Sequence, residues 1–200
     1  LNMQLFPLDP DNHKKNADAH VNAHLVKIPL GVAQMLSIAR HVLLGPETGT
    51  KLCQNSEIYK FAKTYAKHPC VRWILESRTN YTWTVAYGLA LCDEYYYRYG
   101  ANHKNGPRQL ACRKVIARCA ELLPQSLPDN GRTPFAQAIA DKALRVPGDA
   151  RAAYRLYYQS AEKSHIRFWK NREPPSWFAD PTPVRKEKKR KRSVAEESKI

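Results

Sequence analysis

The residues in this chain best equipped for chemistry are basic and aromatic, and they come interleaved. Arg72-Trp73, Arg78-x-Asn80-Tyr81-x-Trp83, Tyr95 to Tyr99, His103-Lys104, Tyr154-Arg155-x-Tyr157-Tyr158 and Arg167-Phe168-Trp169-Lys170 each set cations beside rings. That mixture suits nucleic acid, because guanidinium and ammonium groups hold phosphates while rings stack on or wedge between bases. Arg72, Arg78, Arg98, His103, Lys104, Tyr154, Arg155 and Lys170 are the candidate nucleic-acid contacts. Some of the rings must instead fill the core, since a helical bundle has to bury something large. Trp73, Tyr81 and Tyr157 are expected inside, and Arg72, Arg98, Lys104, Arg155 and Lys170 outside. Among the carboxylates, Asp93-Glu94 followed by Tyr95-Tyr96-Tyr97-Arg98-Tyr99 is polar for a bundle helix and marks a cleft, with Glu94 the candidate acid. The alternative for Glu94 is an i,i+4 pair with Arg98 on a solvated face.

Metal chemistry finds no support. Five cysteines (Cys53, Cys70, Cys92, Cys112, Cys119) make an odd count and none form a C-x-x-C pair, so no zinc site, and no cofactor, is expected. Cys112 and Cys119 lie seven apart on one helical face and read as core. No positively charged segment followed by an apolar one opens the chain, so no signal peptide is expected. Reduced thiols in an intracellular compartment then follow. No apolar run approaches the roughly 20 residues that cross a bilayer, so no membrane partner is expected.

The formal net charge is +15. The last twenty residues hold eight Lys/Arg against three Glu, which leaves the body at +10. A body that stays basic without its tail points to a polyanionic partner. A hydrophobic fraction of 43%, with 10% aromatics, supports a folded core. The division is one all-α domain over residues 1–179 and a disordered basic tail over 180–200. Within that tail, Arg185-Lys-Glu-Lys-Lys-Arg-Lys-Arg192 reads as a nuclear-import address or a DNA-grasping arm.

The elements that must position these residues are helical, since no run alternates with period two. A first helix is expected over 18–41, broken or kinked near Ile28 by Pro29, with a loop over 46–54. The strongest pattern starts at His68-Pro69 and stops at Gly100. It predicts one helix of about thirty residues, near 45 Å long, as the spine of a compact bundle. A third helix follows over 107–123, and a short one over 134–141. A last helix is capped by Asp149 and carries Tyr154 through Trp169. Trp177-Phe178 is expected to fold back on the body.

Several landmarks, spanning Met3 to about Phe178, resemble the pyrimidine-dimer DNA glycosylases of the small phage endonuclease V type and their viral relatives. They are the Met3-Gln-Leu-Phe-Pro-Leu-Asp9 start, His24-x-x-Lys27, Ala33-Gln34-Met-Leu, Lys67-His68-Pro69-Cys70, Trp73 and Arg78-x-Asn80-Tyr81-x-Trp83. They continue through Cys92-Asp93-Glu94-Tyr95, Arg98-Tyr99-Gly100, His103-Lys104, Pro134-Phe135-Ala136-Gln137-Ala138, Tyr154-Arg155-x-Tyr157-Tyr158 and Trp177. The resemblance implies an all-α scaffold that grips a kinked duplex by its phosphates. An amine there forms an imine with the sugar C1′ of a damaged nucleotide. A carboxylate seven residues past the helix histidine then drives elimination.

The chain departs from that pattern where the chemistry lies. Seven residues after His24 stands Gly31, which carries no acid. Leu1-Asn2 precede Met3, which displaces the expected amine, and Asn22-Ala23-His24 replaces Asp-Lys-His. The candidate substitutes are Lys27, one turn from Gly31 and a nucleophile if buried, and Glu94, with His24 beside them. The resulting expectation is a DNA-binding protein of this type acting on damaged or unusual bases in duplex DNA. The alternatives are a non-catalytic architectural or packaging protein of a large DNA virus, a different enzyme centred on Glu94 and His24, and a part of a viral assembly. The expected location is the nucleus of a eukaryotic host or the virion.

Overall fold

Caps and breakers divide this chain into helices more finely than its apolar periodicity implies. The computed structural model describes residues 3–178, and among them the protein is all-helical, with no strand. The basic tail, with its assignment as disordered and its 185–192 run, lies outside the described residues.

The first helix, α1 (His13–Asp18), is capped by Asn12, whose side chain accepts from the Lys15 amide. Val21 is extended, so the next helix, α2 (Asn22–Gln54), starts after a corner instead of continuing from Asp18. Pro29 does not break α2, contrary to the expectation. Its ring removes one backbone hydrogen bond, yet Leu25, Ile28, Val32 and Ala33 around it are all in the core, and their burial outweighs that loss. The interruption comes instead at Gly45, whose φ of 78° is open to glycine at little cost. Pro46 then acts as a first-turn proline, and 46–54 is helix, not loop.

The expected single spine is two helices, α3 (Pro69–Glu76) and α4 (Arg78–Tyr99). Ser77 separates them in an extended conformation, and its hydroxyl accepts from the Asn80 amide. Asn80 in turn donates to the Trp73 carbonyl and to Thr133 Oγ1, which fixes the corner. Periodicity runs across the break because both helices bury their apolar stripe in the same core. The fifth helix, α5 (Gly106–Glu121), falls close to expectation, with Cys112 and Cys119 buried.

The expected short helix at 134–141 is absent. That stretch has no regular secondary structure and is held by side chains: Tyr154 Oη accepts from the Ala138 amide, and Gln137 Oε1 accepts from the Val146 amide. The last helix, α6 (Ala150–Gln159), is capped by Asp149 as expected but stops at Ser160, and Ala161–Ile166 is a 3-10 segment. Phe178 and Trp177 fold back as expected, onto Trp169 at 5.0 Å and Tyr158 at 6.3 Å.

Helices α2, α4 and α5 pack on one another, α1 lies on α4, and α3 closes one side. Gly88 of α4 marks where three helices meet: a Cβ there would stand 2.7 Å from Val32 and 2.9 Å from Ile116. Helix α2 is long and apolar enough to pass for a membrane span, with mean hydropathy 1.3 over its best window, but 67% of that window is buried inside the bundle.

Candidate nucleic-acid interface

Arg98 of α4 is a structural staple. It is 1% exposed, and its guanidinium donates to Glu94 Oε1 at 2.6 Å, the His20 carbonyl at 2.8 Å, Asn22 Oδ1 at 2.9 Å and the Asp18 carbonyl at 2.8 Å. It thus satisfies the orphan carbonyls of the α1–α2 corner. The expectation of an outward phosphate contact is corrected, because no donor is left facing solvent. Glu94 also differs from expectation. The i,i+4 pair with Arg98 exists, but Glu94 is only 4% exposed, and Arg172 also grips it, at 3.0 and 2.7 Å. Burial pushes the Glu94 carboxyl up, but the hydrogen bonds from Arg172 and Arg98 outweigh it and hold the group below the usual carboxylate range. Burial raises Asp18, and the neighbouring Glu94 adds to that shift against Lys14.

His24 points inward, at 5% exposure. Its Nδ1 lies 2.9 Å from the Tyr158 hydroxyl, and its ring stacks on Tyr157. Burial, aided by Lys163 and Lys27, lowers its pKa to about 4, so it is neutral near pH 7. Lys27 is exposed and so lacks the burial a lysine nucleophile needs, whereas Gly31 is buried in α2. No hydrogen bond or ion pair joins Glu94 to His24 or Lys27 among the described residues. Sequence reasoning missed His20, which bridges the Asn16 carbonyl at 2.7 Å and the Tyr87 hydroxyl at 2.8 Å. It is fully buried, and its pKa falls to about 3.

A cationic face gathers around the start of α2. The Asn22 amide donates to the Phe168 carbonyl at 2.8 Å, and the Lys170 amide donates to Asn22 Oδ1 at 3.0 Å, so 168–170 crosses this helix end. Arg108 and Gln109, at the start of α5, donate to the Val26 carbonyl at 3.3 and 2.9 Å. The Lys170 ammonium sits 5.0 Å over Tyr99, whose ring lies 4.8 Å from His103. Lys27, Lys104, Arg108 and Lys170 are exposed and form no ion pair among the described residues. No acidic residue occupies the first turn of α2, so its helix dipole adds to the positive field. Two large rings stand open next to the 168–172 stretch: Phe168 at 61% exposure and, held against Asn171 and Arg172, Tyr97 at 57%.

The remaining candidates lie elsewhere or inside. Tyr154 is buried, its hydroxyl donating to the Ala136 carbonyl. Arg155, expected outside, is half-buried; it donates to the Leu8 carbonyl and lies 5.0 Å over Trp177. Arg78 bonds the Gln125 and Leu127 carbonyls and pairs with Asp129. Arg72 is exposed on α3. Of the rings expected inside, Trp73 and Tyr81 are buried and Tyr157 only half so. Arg172, which sequence reasoning also missed, is recognisable only once α4 brings Glu94 beside it.

A cleft of about 440 Å³ adjoins this face, lined by Lys15, Asp18, Arg155, Arg172 and Trp177 among others. An apolar cavity of about 250 Å³ lies between Met3, Gln34, Ile38, Tyr59 and Tyr65. Neither is lined by His24, Lys27 or Gly31. Among the described residues no cluster of His, Cys, Asp or Glu is arranged to hold a metal. In comparisons with known proteins, no family model, curated protein or solved structure matches this chain.

Proposed function

We propose that this protein binds DNA, gripping phosphates with the face built around the start of α2 and acting at damaged or unusual bases in duplex DNA. The observation that carries this reading is the convergence of Lys27, Lys104, Arg108 and Lys170, with no carboxylate paired to them among the described residues, at the positive end of a long helix. The sequence resemblance to pyrimidine-dimer glycosylases points the same way. Within that frame, binding without an imine step has the better physical support. An amine nucleophile has to be desolvated to be uncharged at neutral pH, and Lys27 is open to water. The best remaining carboxylate, Glu94, is held by two arginines, and Gly31 is packed in the core. A non-catalytic architectural or packaging role in a large DNA virus therefore stands as the second reading. The proposal requires no metal or cofactor. Nuclear or virion location rests on the sequence of the 185–192 run alone.

The test is fluorescence anisotropy of the full chain on a 24-base-pair duplex across a salt series. Affinity should fall steeply with salt, and Lys27→Glu and Lys170→Glu should each weaken binding and reduce the log–log slope by about 0.9 per lost phosphate contact. If both variants bind like the parent, the face is not the interface and any binding belongs to the tail. Borohydride treatment on dimer-bearing DNA should trap no adduct; a covalent adduct would establish lyase chemistry instead.

A further inference from the structure

We infer that the DNA this face prefers carries unpaired, unstacked bases, which Phe168 and Tyr97 receive as stacking platforms. This rests on the DNA-binding reading and deepens it. The two rings are displayed by rigid supports. Phe168 is pinned on both sides of its own backbone, its amide donating to the Ile166 carbonyl at 2.8 Å and its carbonyl accepting from Asn22 at 2.8 Å. The next residue, Trp169, turns inward and donates to the Ala19 carbonyl at 3.0 Å, so the alternation of the segment throws Phe168 outward. Tyr97 is oriented by its hydroxyl, which donates to the Asn171 carbonyl at 3.4 Å, and by the Arg172 guanidinium 4.0 Å over its ring. Both rings therefore flank one stretch, 168–172, that also carries Lys170.

Phe168 keeps a large apolar ring in water on a backbone that is itself fixed, and Tyr97 is held by its hydroxyl and by Arg172, so both rings are placed for a partner that will cover them. A regular duplex offers phosphates and groove edges and keeps its base faces stacked inside. Only unpaired bases present a flat face to a flat ring, and every base does so regardless of sequence. The cations at hand fit the sugar–phosphate strand that runs between such bases. A protein partner would have to bring a carboxylate to each of Lys170, Lys27 and Arg108, whereas a sugar–phosphate strand carries a negative charge at every residue. An anionic lipid surface shares the charge and could take Phe168, but Tyr97, with Arg172 over one face and its hydroxyl bonded to Asn171, offers a flat plate suited to a base instead of an inserting tip.

The test compares the full chain on a 30-base-pair duplex and on the same duplex with a four-nucleotide internal bubble, by anisotropy at fixed salt. The bubble should bind more tightly. Phe168→Ala should weaken bubble binding roughly 5- to 100-fold while moving duplex affinity less than about twofold. Phe168→Trp should keep the preference, and Tyr97→Ala should lower it independently. Phe168 is largely solvent-facing, so the variants should melt as the parent does, which separates lost contact from lost fold. Equal affinity for bubble and duplex, or a Phe168→Ala loss equal on both, overturns the inference and leaves DNA binding standing. Failure to bind either probe removes both. Binding to phosphatidylserine vesicles that exceeds bubble binding and vanishes in Phe168→Ala also overturns it, assigning the rings to a membrane.

Discussion

Lowering the pH from 7 to 5 should destabilise this protein by about 4 kcal/mol, through two histidines alone. His20 and His24 are buried in the neutral form, with pKa values lowered by burial from 6.5 to about 3 and about 4. Because the folded values lie below the unfolded one, the unfolded chain takes up these protons first. Stability is therefore complete above pH 6.5 and declines as the pH falls toward 4 for His24 and toward 3 for His20. At pH 5 the unfolded histidines are about 1.5 units below their pKa while the folded ones remain neutral. At 1.36 kcal/mol per unit this is about 2 kcal/mol for each. His13 and His68, half-buried and also lowered, add in the same direction. Glu94, whose folded pKa is lowered, gives up stability only as the pH passes below the ordinary carboxylate range, and raised Asp18 opposes the trend. Urea unfolding followed by tryptophan fluorescence reads the effect, since Trp73, Trp83 and Trp169 are all buried. With a slope near 2 kcal/mol/M the midpoint should fall by about 2 M. His24→Phe should remove close to half of the pH dependence. A midpoint at pH 5 equal to or above that at pH 7 would refute the argument, and with it the placement of both rings.

Arg98→Ala should cost about 3–5 kcal/mol, since it removes one partner of buried Glu94 and leaves two corner carbonyls unbonded. Thermal melting should register this as a drop of roughly 10 °C or more, which Arg98→Lys does not recover because a lysine cannot span four acceptors. Gly31→Glu, which places a carboxylate where the sequence resemblance would call for one, should lower the melting temperature by placing an unpaired charge in the core. It should yield no borohydride-trapped adduct on dimer-bearing DNA. An adduct from a well-folded Gly31→Glu protein would overturn this expectation and place lyase chemistry within one side chain of this fold.

How much of this was legible beforehand varies with the range of the interaction involved. Signals that act within a few residues read through: the Asp149 cap, the proline start at Pro69, the stop at Gly100 and the inward set of Trp73, Tyr81, Cys112 and Cys119. The errors fall where one local rule met a stronger one. Pro29 carries a breaker's chemistry, but the apolar residues on either side of it hold α2 together. Ser77 sits in an unbroken apolar pattern, yet a serine three residues ahead of Asn80 makes a cap, and the helix divides there. Tyr154 looked like part of a basic–aromatic surface; its hydroxyl instead ties down 136–138, where no helix forms.

Residue spacing, caps and charge alone established an all-helical, strongly basic body with cations and rings alternating along it, because helix caps, apolar spacing and net charge are properties of neighbouring residues. Which of those cations face the solvent was decided only by folding. Arg98 and Lys170 are alike in the sequence, each beside a ring, but Arg98 is drawn inside by four acceptors from three segments, while Lys170 is left out over Tyr99. The fate of a charged side chain depends on partners distant along the chain, and those partners exist only once α2, α4 and the 168–172 segment have come together.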